Sequence, residues 1–175
     1  MAVKDIVKEG APLLIKPSVA VGKMPPSELK ALIRDMKDTM LAREGVGIAA
    51  PQIGVNLRVI MFGFEENNRY PGEKPVPFTV LINPWFEALD ETKEDGWEGC
   101  LSIPGVRGLV SRYKAIRYGG HDAEGRAVEA EASGFHARIV QHEYDHLEGV
   151  LFTMRVEDKA NLRFENQEPQ SNPTD

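Results

Sequence analysis

The chain has 175 residues, of which 42% are hydrophobic and 27% are charged, and its formal net charge is −6. These values are typical of one globular domain, or at most two small ones, and the acidic balance argues against nucleic acid as a substrate. The sequence shows neither an apolar run long enough for a membrane span nor a leader pattern. Its single cysteine, Cys100, requires no oxidising compartment. We therefore expect a cytoplasmic protein without membrane contact.

The first predicted helix covers residues 27–43. Five apolar residues recur there at the spacing of one helix face, namely Leu29, Leu32, Ile33, Met36 and Met40. Ser27 stands where a side chain could cap the first turn, directly after two prolines that end any earlier helix. Gly45 follows at a position that is favourable for ending the helix.

Several short strands are predicted after this helix. Residues 55–62 and 76–82 are rich in β-branched and apolar side chains, and the polar segment 65–75 between them is predicted to be a surface loop. Residues 113–120 and 126–132 are predicted to form a hairpin across the turn that contains Gly125.

A second helix is predicted over residues 134–148, with Ser133 as its cap and Gly149 at its end. Two helices among several strands, without a regular alternation of strand and helix, predict an α+β fold. We expect a single catalytic domain over residues 1–160. The polar segment 161–175 contains two prolines and is predicted to be a disordered acidic tail.

The clearest motif is the H-E-x-x-H pattern of residues 142–146, inside the second predicted helix. Residues four apart share a helix face, so His142 and His146 can bind one metal ion. Glu143 adjoins the first of them and is placed to act as a general base on water. The alternative interpretation is a polar helix face with two solvated histidines.

The residues alone leave the third ligand open. Cys100 could supply a thiolate and leave a fourth position for water, although a free cysteine is more commonly a small buried hydrophobe. A zinc endopeptidase would instead use a downstream glutamate, the candidates being Glu157, Glu165 and Glu168. A structural metal-binding domain without turnover is a further alternative.

Three motifs occur together in this order: GVGIAAPQ at 45–52, EGCLS at 98–102 and QHEYDHLEG at 141–149. Their combination resembles the peptide deformylase family, whose motifs are G-x-G-x-A-A-P-Q, E-G-C-x-S and Q-H-E-x-D-H-x-x-G. The likeness extends more loosely from about residue 5 to about residue 160. It implies a hydrolase that removes the formyl group from the formylmethionine of nascent polypeptides. It also implies antiparallel sheets packed around the helix that carries the H-E-x-x-H motif.

The resemblance assigns roles to individual residues. It implies attack by metal-bound hydroxide, with Glu143 as general acid and base, while Gln52 and the backbone N–H of Leu101 contact the developing oxyanion. The implied metal ligands are Cys100, His142 and His146. The expected ion is Fe²⁺, with Zn²⁺, Ni²⁺ or Co²⁺ as replacements. The expected partners are formylated nascent chains, at the ribosome.

The surroundings of the metal are predicted partly by resemblance and partly by helix spacing. By resemblance, Glu98 holds an imidazole or a guanidinium such as that of Arg112, and Arg107 pairs with the substrate backbone or its carboxylate end. Arg138 lies four residues before His142 on the same helix face, so its stem is expected along the methionine pocket and its charged head in water. The predicted substrate-binding residues are Val46, Gly47, Gly99, Arg107, Phe135, Arg138 and Ile139.

Three residues depart from those usual in the family. Many members carry an aliphatic side chain where this chain has Arg138, and the pair Gly96-Trp97 replaces an apolar and an acidic residue.

Overall fold

Two antiparallel β-sheets and two α-helices make up the fold in the computed structural model, which describes residues 2–165. The helices are α1 (Pro26–Ala42) and α2 (Gly134–Leu147). The strands are β1 (Gly47–Ala49), β2 (Val59–Phe64), β3 (Val76–Ala88), β4 (Lys93–Cys100), β5 (Ile103–Tyr113), β6 (Ala115–His121), β7 (Ala127–Ser133) and β8 (Leu162–Phe164). A five-stranded sheet has the order β1-β2-β3-β6-β7, and a three-stranded sheet has the order β4-β5-β8. The predicted α+β class with antiparallel sheets is confirmed.

Both faces of the five-stranded sheet are covered at strand β2. Ile60 and Phe62 point to the side of α2, whereas Val59 and Met61 point to the side of α1. Because successive side chains of a strand face opposite ways, a strand between two helices must be apolar at every position, as β2 is. The apolar stripe of α1 packs on one side, and α2 packs on the other.

Helix α2 is buried along most of its length. It contributes Ala137, Ile139, Val140 and Leu147 to the core that it shares with the large sheet, while Arg138, His142 and Asp145 face the small sheet. Its end is set by Gly149, which has a φ of 74° and follows the last turn, as the sequence predicts. The H-E-x-x-H residues therefore lie inside the protein between the two sheets.

The structure differs from the predicted helix starts. Helix α1 begins at Pro26, with Pro25 before it, and Ser27 lies inside the first turn instead of capping it. Proline fits this position because its fixed φ suits a helix and its missing N–H would have had no partner. Ser133 does precede α2, but its side chain makes no capping hydrogen bond among the residues described.

The predicted strands have different limits in the structure, and one hairpin was missed. The predicted strands 55–62 and 76–82 are Val59–Phe64 and Val76–Ala88. The β4–β5 hairpin lies in a segment of mixed charge and glycine for which no strand is predicted.

The predicted tail is partly described. Leu162–Phe164 pairs with β5 as strand β8, whereas residues 166–175 lie outside the described residues. No helix in the described range combines the length and the apolar character that crossing a membrane requires.

Candidate active site

Three potential metal ligands from two elements meet between the sheets. Cys100 ends β4, and His142 and His146 lie one turn apart on α2. One ligand atom from each of these side chains lies within 4.8 Å of the others, and Sγ of Cys100 is 3.4 Å from Nε2 of His146. All three side chains are buried. Within residues 2–165 they form a cluster that could hold one metal ion.

The charge state of Cys100 suits a ligand. Burial alone would raise the pKa of its thiol, but the adjacent imidazoles of His146 and His142 lower that pKa well below its ordinary value. The thiolate, not the thiol, is the form that binds metals.

The orientation of His142 is fixed by Glu98, one of the contacts that the family resemblance implies for this glutamate. Despite the opposing effect of burial, hydrogen bonds from Arg112 and His142 keep the pKa of Glu98 far below its ordinary value, so this side chain is a carboxylate. A carboxylate only accepts hydrogen bonds, so Nδ1 of His142 carries the proton and donates to Oε1 over 2.8 Å. With Nδ1 engaged in this way, Nε2 is the nitrogen of His142 that is available to a metal ion.

Arg112 extends this arrangement into a chain of buried charges. Its Nε and Nη2 donate to the two carboxylate oxygens of Glu98 at 2.9 and 2.8 Å, and its Nη1 donates to Asp145 over 2.5 Å. Arg155 donates to the same Asp145 from the protein surface. Buried charges are tolerable only when they are paired in this way.

Glu143 lies beside the cluster with one oxygen free. Burial raises its pKa to about 7, against the lowering effect of His142 and His146. Its Oε2 is a buried atom without a hydrogen-bond partner among the described residues. A carboxylate in this state can both accept and release a proton near neutral pH.

Gln52 also faces the cluster. Its Oε1 accepts the N–H of Ala49 at 2.9 Å, which fixes the amide, and its Nε2 lies 3.1 Å from Ser102 Oγ and 3.5 Å from Cys100 Sγ. The donor group of the amide is thus directed toward the metal ligands. Leu101 lines the pocket that opens beside these residues.

A partly open pocket lies beside these residues. Of the predicted substrate-binding residues, six line it, namely Val46, Gly47, Gly99, Phe135, Arg138 and Ile139. The pocket also contains two residues that sequence reasoning missed, Arg69 and Tyr70. Tyr70 accepts the N–H of Gly99 at 3.1 Å, and its ring lies 4.9 Å from that of Phe135. Both belong to the predicted surface loop. The aromatic side chain of Tyr70 in this polar segment was the one feature of the sequence that could have indicated a role in the pocket.

The expected position of the Arg138 head is wrong. The residue is 5% exposed, and its guanidinium donates to Glu98 and to main-chain carbonyls of the small sheet instead of reaching water. The helix face was inferred correctly, but that face meets a buried carboxylate.

Arg107 lies outside the pocket lining. Its Nε donates to Glu165 and its Nη2 to the carbonyl of Arg69, both over 2.9 Å, and its guanidinium covers the ring of Tyr70. Its predicted contact with substrate stays a prediction.

The glutamates considered as alternative third ligands lie elsewhere. Glu165 pairs with Arg107, and Glu157 is exposed. Glu168 lies outside the described residues.

Comparisons with known proteins agree along nearly the whole chain. The sequence model of the family described as Polypeptide deformylase matches residues 3–161. The chain is 53% identical over 162 residues to Peptide deformylase 2 of Ralstonia nicotianae, which covers 93% of this chain and 92% of the relative. It is 55% identical over 153 residues to Peptide deformylase 1 of Bordetella pertussis, covering 87% of each.

A solved structure shows the same fold. The Met-Ala-Ser-bound crystal structure of class I type b peptide deformylase from Acinetobacter baumannii superimposes with a TM-score of 0.83 at 37% identity, covering 89% of this chain and 100% of the other.

Proposed function

We propose that Cys100, His142 and His146 hold the metal of the reaction that this chain catalyses. The chain belongs to the polypeptide deformylase family and removes N-terminal formyl groups from polypeptides. The observation that carries the proposal is the convergence of one buried sulfur and two imidazoles within 4.8 Å. The relatives are named as deformylases, so the zinc endopeptidase alternative is not favoured.

The donor set fits a borderline divalent ion. One thiolate and two neutral imidazoles suit Fe²⁺, Zn²⁺, Ni²⁺ and Co²⁺, and three protein ligands are typical of a catalytic site. We assign Fe²⁺ as the native ion, with the others as replacements. When bound, such an ion polarises the formyl oxygen and lowers the pKa of water, which supplies a nucleophile near neutral pH.

Glu143 handles the proton in this proposal. The free Oε2 accepts a proton from the water that adds to the formyl carbon. The same proton then passes to the amine nitrogen as the C–N bond breaks, so formate and a free N-terminus leave. Burial of this carboxyl acts to raise its pKa, which favours both transfers near neutral pH.

Gln52 and Leu101 stabilise the oxygen that gains negative charge. The amide of Gln52 is held by Ala49, so its Nε2 needs little reorientation to donate. The backbone N–H of Leu101 follows Cys100 directly and is proposed as the second donor.

The substrate is proposed to be a nascent chain that begins with formylmethionine. The wall made by Val46, Tyr70, Phe135 and Ile139 is apolar or aromatic and accommodates an unbranched thioether side chain. Met-Ala-Ser, found in the A. baumannii structure, is the peptide that remains when formyl-Met-Ala-Ser loses its formyl group. Because such substrates emerge from ribosomes, we place the enzyme in the cytoplasm, near the ribosome.

The test is formate release from formyl-Met-Ala-Ser by anaerobically prepared protein loaded with Fe²⁺ or Ni²⁺. We expect turnover by the wild type, and Glu143→Ala should retain the metal but lose activity by orders of magnitude. Acetyl-Met-Ala-Ser is the matched control substrate and should not be cleaved. No formate above the level of metal-free protein would contradict the proposal.

A further inference from the structure

We propose that Arg138 is a positioning residue for the metal centre and that Gly96 exists to make room for it. The inference rests on the proposed metal site. It joins Arg138 on α2 to Gly96 on β4.

Arg138 is buried, and both terminal nitrogens of its guanidinium donate hydrogen bonds. Its Nη1 donates to Glu98 Oε2 at 2.8 Å and to the carbonyl of Val110 at 2.7 Å, and its Nη2 donates to the carbonyl of Glu94 at 2.8 Å. A buried guanidinium needs such a set of acceptors, because an unpaired cation would be strongly unfavourable there. The side chain therefore has one stable placement.

The contact with Glu98 bears directly on a metal ligand. Arg112 binds both oxygens of this carboxylate, Arg138 binds Oε2, and His142 donates to Oε1. With Oε2 held by two guanidiniums, the carboxylate cannot rotate, and Oε1 stays directed at Nδ1 of His142. Arg138 thus acts on the imidazole through Glu98.

The main-chain contacts of Arg138 join the two sources of ligands. Glu94 belongs to β4, the strand that ends at Cys100, and Val110 belongs to β5 of the same hairpin. Arg138 itself lies on α2, which carries both histidines. Its guanidinium therefore fixes the hairpin that presents the sulfur relative to the helix that presents the imidazoles.

Gly96 leaves the space that the guanidinium occupies. A Cβ at this position would lie 2.7 Å from Cζ and from Nε of Arg138, closer than real Cβ atoms approach other atoms. The φ of Gly96 is not in the left-handed region, so the backbone itself would accept alanine. The glycine is needed for space, and only while Arg138 is present.

A double-mutant cycle of Arg138→Met and Gly96→Ala tests the inference. The readouts are Zn²⁺ affinity, by competition with a chromophoric chelator, and the visible spectrum of the Co²⁺ form, which reports ligand geometry. Each single variant should bind Zn²⁺ about 10–100-fold more weakly, the usual effect of losing a group that orients a metal ligand. In the Arg138→Met background, Gly96→Ala should change the affinity by no more than about twofold.

Arg58→Met is the matched control. Arg58 also binds α2, but at its far end, through the carbonyl of Leu147 and the carboxylate of Glu148. It should lower stability without changing Zn²⁺ affinity or the Co²⁺ spectrum.

The inference is overturned if Arg138→Met binds Zn²⁺ within about twofold of the wild type, or if Gly96→Ala weakens binding equally in both backgrounds. If Arg138→Met does not fold, Gly96→Ala alone decides, because unchanged affinity and spectrum would contradict the proposed role. A failure of the proposed metal site itself would give a different result. In that case Cys100→Ala would bind Zn²⁺ as tightly as the wild type.

Discussion

The backbone of Gly47 lies directly against the carboxylate of Glu143. A Cβ on Gly47 would come 2.5 Å from Oε1 and 2.9 Å from Cδ and Cγ of that side chain. The φ of Gly47 is not in the left-handed region, so this glycine also provides space instead of backbone freedom. The second glycine of the first motif and the glutamate of the third are thereby parts of one contact.

Gly47→Ala should displace Glu143 and impair proton transfer. We expect kcat to fall by about 100-fold, the lower end of what general acid–base catalysis contributes, with metal content unchanged. Gly22→Ala is the control, because a Cβ there meets no atom within 4 Å. Formate-release kinetics check this, and a kcat for Gly47→Ala equal to that of the control would show that Glu143 does not depend on this space.

Gln52→Ala should remove one donor to the oxyanion. Loss of such a donor typically costs about 2.7–4 kcal/mol of barrier, so kcat should fall by about 10²–10³-fold. Gln141→Ala is a useful comparison, because this buried glutamine binds main-chain groups of Tyr113 and Ala137. Gln141→Ala should lower the stability about as much as Gln52→Ala does, but its kcat should fall far less. Equal kcat losses in both variants would mean that Gln52 is only structural.

Tyr70→Ala should open the wall of the pocket next to Phe135. We expect KM for formyl-Met-Ala-Ser to rise by about tenfold, which corresponds to about 1.4 kcal/mol of binding, while kcat changes less. The measurement is steady-state kinetics with formyl-Met-Ala-Ser and, as a comparison, formyl-Ala-Ala-Ser. If both substrates were affected equally, Tyr70 would not contact the methionine side chain.

His136 should make the fold sensitive to mild acid. Burial lowers its pKa below the ordinary value, and its Nε2 lies 3.0 Å from the hydroxyl of Tyr118. The unfolded chain therefore takes up the proton first, so this contribution to stability is present above about pH 6.5 and is lost as the pH falls through the folded pKa.

Urea unfolding at pH 7.5 and 5.5 measures this effect. The free energy of unfolding of the wild type should decrease more between these pH values than that of His136→Gln. Using the difference between the two proteins cancels the titration of groups common to both. Identical decreases would exclude His136 as the cause.

The sequence predicted those elements whose apolar pattern follows directly from the sides on which they are buried. The apolar stripe of α1 and the uniformly apolar β2 follow from which sides are buried. The β4–β5 hairpin was missed because its inner face carries Glu98 and Arg112, so no alternation of apolar and polar residues marks it. Those two charges are stable inside only because they meet each other and α2, a contact between distant parts of the chain.

The same limit applies around the candidate site. Helix spacing placed Arg138 on the face of His142, but the environment of its head depended on Gly96 and Glu98 across the contact with β4. Tyr70 reaches the pocket from a segment whose composition predicts a surface loop. The spacing of residues along one helix or strand predicts the side to which a side chain points. It does not predict which residues of a neighbouring element that side chain meets.

X-ray absorption spectroscopy at the metal edge of the Zn²⁺- or Co²⁺-loaded protein tests the central assignment most directly. The account predicts one sulfur scatterer at about 2.3 Å and two imidazole nitrogens at about 2.0–2.1 Å. It also predicts that the sulfur contribution disappears in Cys100→Asp. A spectrum of the wild type without a sulfur scatterer would contradict the assignment of Cys100, His142 and His146 as the ligands of one ion.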